Sequence, residues 1–379
     1  MLPTRSTLDD LDTILADVER LVTIESPSSD LDAVARSAEA VAALLVERLG
    51  TGPETVVIDG VAHLRVRFGS GPRRTLLLAH HDTVWPLATI ERLPFQIRDG
   101  RMSGPGCFDM KTGLVMAVHA LAHVAQRDPA LLDGVTLLVT GDEEIGSPTS
   151  RALIEAEAIG CQAAFVLEPA ADGGAFKTGR KGVSNYLIRI TGRAAHAGLE
   201  PEKGVNAGVE LAYQMIKVGE IADASVGTTV TPTLATAGDT RNTVPAHASV
   251  FVDARTRTAA EQRRVDDAVR ALTPVIGEVA LDVEGGPNRP PMDPASAAPL
   301  FTRAQRLAAE LELPPLRQAS VGGGSDGNFT AGVGVPTLDG MGAVGGGAHA
   351  ESEHVLVAEI PGRVELLAAL ISELGGARA

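Results

Sequence analysis

The chain has 379 residues, too many for one ordinary compact domain and too few for more than two or three. Apolar residues make up 44% and charged residues 21%, which excludes wholesale disorder, and an aromatic share of only 3% leaves the core to Ala, Val, Leu and Ile. A formal charge of −15, from 48 acidic against 33 basic residues, comes with no long basic run, so nucleic acid is not an expected partner.

No apolar run approaches the roughly 18 residues a membrane span needs, so no membrane partner is expected either. The opening segment, MLPTRSTLDDLDTILADVER, lacks the apolar stretch of a signal peptide, and a cytoplasmic location is expected. The two cysteines, Cys107 and Cys161, cannot build a disulfide framework or a four-cysteine metal site. They read as free thiols in a reducing compartment.

In chain order, amphipathic stretches at residues 11–22 and 31–49 precede the apolar strand TLLLAHHD. A helix beginning near Lys111 separates it from two further apolar runs, GVTLLVTGDEE and AAFVLEP. Such alternation indicates an α/β domain with a mixed, largely parallel sheet. Each run ends in histidine or acidic residues, and sites in open α/β sheets collect at the carboxyl ends of strands. The texture then changes. NYLIRITG, GVNAGVELAYQMIKVG, VTPTLATAG, ASVFVDAR, AAEQRRVDDAVRAL and EVALDVEG read as βαββαβ, the ferredoxin-like split unit. Residues 179–287 are therefore expected to form an inserted α+β domain, with 1–178 and 288–379 completing the first.

Several residues could carry chemistry. In LLLAHHDTV, side chains two apart on a strand share a face, so Asp82 can support His80 while His81 points the other way. A ligand histidine commonly gives its second ring nitrogen to an oxygen acceptor, which makes His80 the better ligand candidate. Alone, the motif equally fits two solvent-facing histidines. Asp109, just ahead of a helix, could be a cap or a carboxylate bridging two cations. Asp142, Glu143 and Glu144 would repel one another unless solvated or neutralised. In a metal site one of the two glutamates could ligate and the other take a proton from the attacking water. Glu168 ends a buried strand and needs a partner. His349 lies in a loop whose glycines permit close backbone approach; His354 is the weaker ligand candidate because an apolar helix start follows it. Together these are two histidines and three carboxylates with a spare glutamate, a mixture that suits a pair of zinc ions, with cobalt or manganese as substitutes.

The order of motifs, HHD, GPGCFDMKTG, GDEEIGS, LEP, AAHAGLEPEKGVNA, RNTVPA and GGGAHAESE, resembles the co-catalytic zinc peptidase family of acetylornithine deacetylase, succinyl-diaminopimelate desuccinylase, aminoacylase and the glutamate carboxypeptidases. The likeness runs from about Leu15 to the end, and is greatest to the glutamate carboxypeptidase branch through GRAAHAG and GGGSDGN. It implies that His80, Asp109 and Glu168 hold one zinc while Asp109, Glu144 and His349 hold the other. It further implies that Glu143 is the general base and later the acid, and that Asp82 orients His80. The inserted domain would be a dimerisation and lid domain, whose His196 reaches across a homodimer to the partner subunit's oxyanion. Asn242 and Arg255 would contact the substrate carboxylate, with Arg289 a looser candidate. The implied activity is hydrolysis of the amide bond to a C-terminal amino acid in a peptide, or of an N-acyl amino acid. Where many relatives carry a second acid after the bridging aspartate, this chain has Met110, a position that ligates no metal.

Competing patterns exist. GGSDG around Ser325, followed by Asp339 and His349, fits a serine-hydrolase elbow, although ASVGGG is a poor strand to precede it. His119 and His123 stand four apart on a helix, a zinc spacing, but read as a solvated pair opposite a buried face of Leu114, Val115, Val118, Leu121 and Ala122. Cys107 has no histidine signature attached and reads as a packing residue. A non-catalytic binding protein on the same fold is disfavoured because every expected ligand and the base are present.

Overall fold

The computed structural model describes residues 11–376. The first ten residues, which begin the segment read as lacking a signal-peptide core, lie outside that range. The chain divides into two compact units: one holds the chain up to Gly179, Asp293–Val321 and everything from Ser325 on, the other Arg180–Met292 and Gly322–Gly324.

The first unit is built on a six-stranded sheet in the order Glu54–Ile58, Val61–Arg67, Val135–Thr140, Thr75–His80, Ala163–Val166 and Thr337–Leu338. The last four strands run parallel and the first two form an antiparallel hairpin at the edge. The central strands Thr75–His80, Val135–Thr140 and Ala163–Val166 are buried at every position, which is why they read as unbroken apolar runs. Their shared direction brings the chain after His80, Thr140 and Val166 to one end of the sheet. Removing a wholly buried side chain there, such as Leu77, would cost about 2–5 kcal/mol.

Helix Leu31–Leu49 starts at Asp30, whose side chain accepts the Ala33 N–H, and stops at Gly50 with φ 68°. Helix Thr112–Arg127 is buried on all sides from Thr112 to Val124. The solvated face expected for His119 and His123 is therefore absent. His119 Nε2 lies 2.7 Å from Asp17 Oδ2, and Asp17 also holds Arg48 at 2.7 Å. Helices Leu11–Val22, Leu31–Leu49 and Ile360–Gly376 pack around this central helix and cover the face read as exposed.

A second small sheet, Gly345–Gly346, His354–Leu356, Arg101–Ser103 and Gln96–Arg98, was not visible in the sequence. It places the hairpin loop 347–353 next to the turn that follows Ser103. His354 consequently begins a strand rather than preceding a helix directly.

The second unit has the expected βαββαβ order, with an antiparallel sheet of Thr229–Ala237, His247–Thr256, Gly182–Thr191 and Ala280–Arg289 and the helices Ala207–Glu220 and Ala259–Arg270. Its last strand runs past 287, where the sequence suggested the insert to end, because Arg289 still pairs with Val183. Among the described residues, no helix is long and apolar enough to cross a membrane.

Candidate metal centre

The site lies within the first unit, where three strand ends and two loops converge. His80 closes its strand and is 1% exposed. Its Nδ1 faces the Asp82 backbone oxygen at 3.0 Å and Asp82 Oδ1 at 3.3 Å, which turns Nε2 toward two carboxylates. Asp109 Oδ1 lies 3.3 Å and Glu168 Oε1 3.5 Å from that nitrogen. The other oxygen of Asp109 stands 3.5 Å from His349 Nε2, which also meets Glu144 Oε2 at 3.1 Å. Asp109 thus offers one oxygen to each histidine.

The ligand atoms of His80, Asp109 and Glu144 lie within 4.8 Å of one another, as do those of His80, Glu143 and Glu168. Two donors each about 2.1 Å from a tetrahedral ion stand roughly 3.4 Å apart, close to these separations. His80 Nε2, Asp109 Oδ1 and Glu144 Oε1 are buried atoms without a hydrogen-bond partner. Buried polar atoms left this way are costly unless something else satisfies them. The donor set of two imidazoles and three carboxylates fits a pair of divalent cations.

Left to one another, these groups redistribute charge. Burial opposes a charged His80, but Asp109, Asp82 and Glu168 outweigh it and hold the ring well above its ordinary pKa. The carboxylates of Asp109 and Glu144 push His349 up to about 10. Burial also opposes the ionised form of Asp109, yet His349 and His80 keep it below the usual carboxylate range, whereas burial raises Glu144. His81 turns away, with Nε2 3.1 Å from the Ala62 oxygen, and burial lowers it to about 4.

The three consecutive acids have separate tasks. Asp142 is fully buried and accepts the N–H groups of Thr149 and Ser150 together with both their hydroxyls, so it closes the loop. Glu143 and Glu144 begin a single helical turn, and Asp82 accepts both of their backbone N–H groups at 3.2 Å. Ser28, which the sequence did not single out, donates its hydroxyl to Asp82 at 2.6 Å. Glu353 was also missed. It is 3% exposed and accepts from the Trp85 ring and from the backbone beside Asp109. Its only signal was position, four residues after His349.

Ser325 is wholly buried, and its hydroxyl donates to Asp339 Oδ2 at 2.6 Å. The elbow reading fails because the hydroxyl is inaccessible and spent on a carboxylate, while His349 faces Asp109 and Glu144. Cys107 and Cys161 are buried free thiols, and burial pushes both pKa values up.

The second unit carries the remaining candidates. His196 is exposed, and its Nδ1 accepts the N–H groups of Gly198 and Leu199 at 3.2 Å. A neutral ring held this way carries its proton on Nε2, as an outward donor. The Ala197 N–H donates to the Asn242 backbone oxygen at 2.8 Å, which sets the two candidate segments side by side. Arg255 and Arg289 both pair with Val183 and so stand in one row of the sheet. Arg255 already meets Asp253 through Nε at 2.8 Å and Nη2 at 2.7 Å, and Arg289 is only 5% exposed.

The chain is similar to known proteins along most of its length. Residues 76–373 match the model of Peptidase family M20/M25/M40. Carboxypeptidase G2 of Pseudomonas sp. (strain RS-16) is 29% identical over 98% of this chain and 91% of its own length. A succinyl-diaminopimelate desuccinylase of Cereibacter sphaeroides is 31% identical over 83% of this chain and 89% of its own. Among solved structures, an M20 family metallo-carboxypeptidase of Sulfolobus solfataricus aligns with TM-score 0.76 at 15% identity, covering 96% of this chain and 99% of that one. Aminopeptidase PepT of Bacillus cereus aligns with TM-score 0.72 at 23% identity, covering 97% and 100%. At these identities the two structures speak to the fold alone.

Proposed function

The chain belongs to peptidase family M20/M25/M40 and is a metal-dependent hydrolase; from that premise we propose that it cleaves the amide bond to a C-terminal amino acid with a free carboxylate. The observation that carries the reading is the division of the Asp109 carboxylate between His80 and His349, with a glutamate beside each histidine. In this reading His80, Asp109 and Glu168 would hold one ion and Asp109, Glu144 and His349 the second, with Asp109 shared between them. The ions, zinc with Co2+ or Mn2+ as substitutes, would polarise the scissile carbonyl and bring the ionisation of water toward neutral pH.

The chain's own groups supply the rest. Glu143 takes the proton of the attacking water and returns it to the leaving amine. Asp82 fixes the tautomer of His80 and the backbone of Glu143 and Glu144. His196 donates from Nε2 to the oxyanion of a partner subunit's reaction, which its accepting Nδ1 favours. Asn242 and Arg255, with Arg289 nearby in the same row, hold the substrate carboxylate; Arg255 must exchange Asp253 for it.

A homodimer joined through the 179–287 domain follows from that trans role. Two features support it. Helix Ala207–Glu220 exposes Val209, Tyr213 and Ile216 at helical spacing, and Thr229–Ala237 is an open sheet edge.

The substrate reading leans toward the glutamate carboxypeptidase type, supported by the full-length likeness to carboxypeptidase G2. The second reading is an N-acyl amino acid deacylase, favoured by the desuccinylase relative. Assaying C-terminal glutamate amides, dipeptides, acetylornithine and succinyl-diaminopimelate with zinc-loaded enzyme, against chelated enzyme, separates them. Preference for glutamate amides is expected. Preference for succinyl-diaminopimelate selects the second reading, and turnover that survives complete chelation defeats both.

A further inference from the structure

One buried carboxylate near the centre is unused by the reaction described above. Glu353 Oε1 accepts the N–H groups of Phe108 at 2.8 Å and Asp109 at 3.0 Å. Its Oε2 accepts the Gly106 N–H at 3.1 Å and the Trp85 indole N–H at 2.8 Å. Four donors from two separate segments therefore converge on a side chain that is 3% exposed. Burying an acid is unfavourable unless its charge is hydrogen-bonded; burial raises the pKa of Glu353, and the four N–H donors act against that cost.

The placement of Glu353 in the chain gives this cluster its meaning. Glu353 ends the hairpin loop 347–353, and its own N–H donates to the Ala350 oxygen at 2.8 Å. His349 sits in the same loop with φ 62°, a left-handed conformation that costs a non-glycine residue energy and must be imposed by its surroundings. Gly347, with φ 77°, could not carry a side chain, since a Cβ would come within 2.7 Å of the Ser352 backbone. The loop is thus tightly closed on itself. Through Glu353 it is fastened to the backbone of Asp109, the residue opposite His349 in the centre.

We infer that Glu353 is a positioning residue that sets the spacing between Asp109 and His349, and through it the affinity of the ion those two residues share. The inference rests on the dinuclear reading of the site and extends it to a residue that touches neither ion nor substrate. Trp85 is the chain's only tryptophan, so its indole fluorescence reports directly on the contact with Glu353.

The test is to titrate wild-type protein, E353Q and W85F with Co2+ alone, followed by visible absorbance and by competition with a chelator. Glutamine keeps the size of Glu353 but presents an NH2 group to N–H donors, so E353Q should bind one of its two Co2+ ions about 10–100-fold more weakly. W85F, which removes only the indole donor, should show a smaller loss at the same ion. In wild-type protein, filling that ion site should change the Trp85 emission. A purely structural role would lower the melting temperature and leave both Co2+ affinities unchanged, and that result overturns the inference. If E353Q does not fold, W85F decides alone, and wild-type affinity in W85F overturns it. Failure of wild-type protein to bind Co2+ would instead remove the dinuclear reading on which the inference stands.

Discussion

Asp82 Oδ1 accepts the backbone N–H of Glu143 at 3.2 Å, so the aspartate expected to orient His80 also holds the proposed base in place. Its Oδ2 accepts the Glu144 N–H and the Ser28 hydroxyl. Burial opposes the ionised form, but His80 and Ser28 keep the acid below its ordinary pKa. Asp82→Asn would turn an NH2 donor toward groups that are themselves donors. Metal affinity should fall about 10–100-fold, with kcat falling alongside. Metal titration and steady-state kinetics read the two effects, and wild-type values in both would show Asp82 to be dispensable.

Glu143→Gln tests a different link, because it alters a proton carrier and leaves the proposed ligands intact. Turnover should drop by about 10²–10⁴-fold or more while metal content and melting temperature hold. Removing the ions should do the reverse to stability. His80 Nε2, Asp109 Oδ1 and Glu144 Oε1 are then left buried without partners, and chelated protein should melt below loaded protein. An E143Q enzyme that still turns over at the wild-type rate removes Glu143 from the mechanism.

A pH prediction comes from the buried cluster of Asp17, Arg48 and His119. Burial raises the acid, but hydrogen bonds from His119 and Arg48 prevail and lower Asp17 from 3.8 to about 2. A carboxylate depressed in the folded state stabilises above its unfolded pKa and loses that contribution as pH falls through the folded value. Arg48 is a quarter exposed, so solvent trims the effect to on the order of 1–2 kcal/mol. Wild-type protein should therefore lose stability relative to Asp17→Asn as pH falls from about 4 to 2. Parallel melting curves for the two proteins across that window would show that the cluster does not carry the charge assigned to it.

The legible and illegible parts of the fold differ for physical reasons. Strands Thr75–His80, Val135–Thr140 and Ala163–Val166 were readable because both faces are buried and the apolar run stops where the chain leaves the sheet. The residues that follow are polar because they face the centre, and this made His80, Glu143, Glu144 and Glu168 stand out. Helix Thr112–Arg127 misled the reading of His119 because an all-round buried helix has no polar face, so its two histidines imitated one. The two- and three-residue strands that carry the His349 loop are too short to show a period. Glu353 was illegible because three of its four donors are backbone N–H groups, which leave no mark on side-chain chemistry.

The proposed trans role of His196 yields the last prediction. If each active centre takes its base from one subunit and its oxyanion donor from the other, Glu143→Ala and His196→Ala homodimers should both be nearly inactive. Mixed dimers would behave differently. The centre of the subunit that keeps Glu143 receives an intact His196 from its partner, while the other centre lacks both groups. Unfolding and refolding the two variants together should restore activity that neither shows alone, and size-exclusion chromatography should find the active species at dimer mass. If His196 acted within its own subunit, every centre in the mixture would still lack one group and no activity would return. Recovery would also depend on the surfaces that join the subunits. Tyr213→Glu on the exposed face of helix Ala207–Glu220 should weaken association and abolish that recovery, because a buried unpaired charge opposes docking of an apolar face.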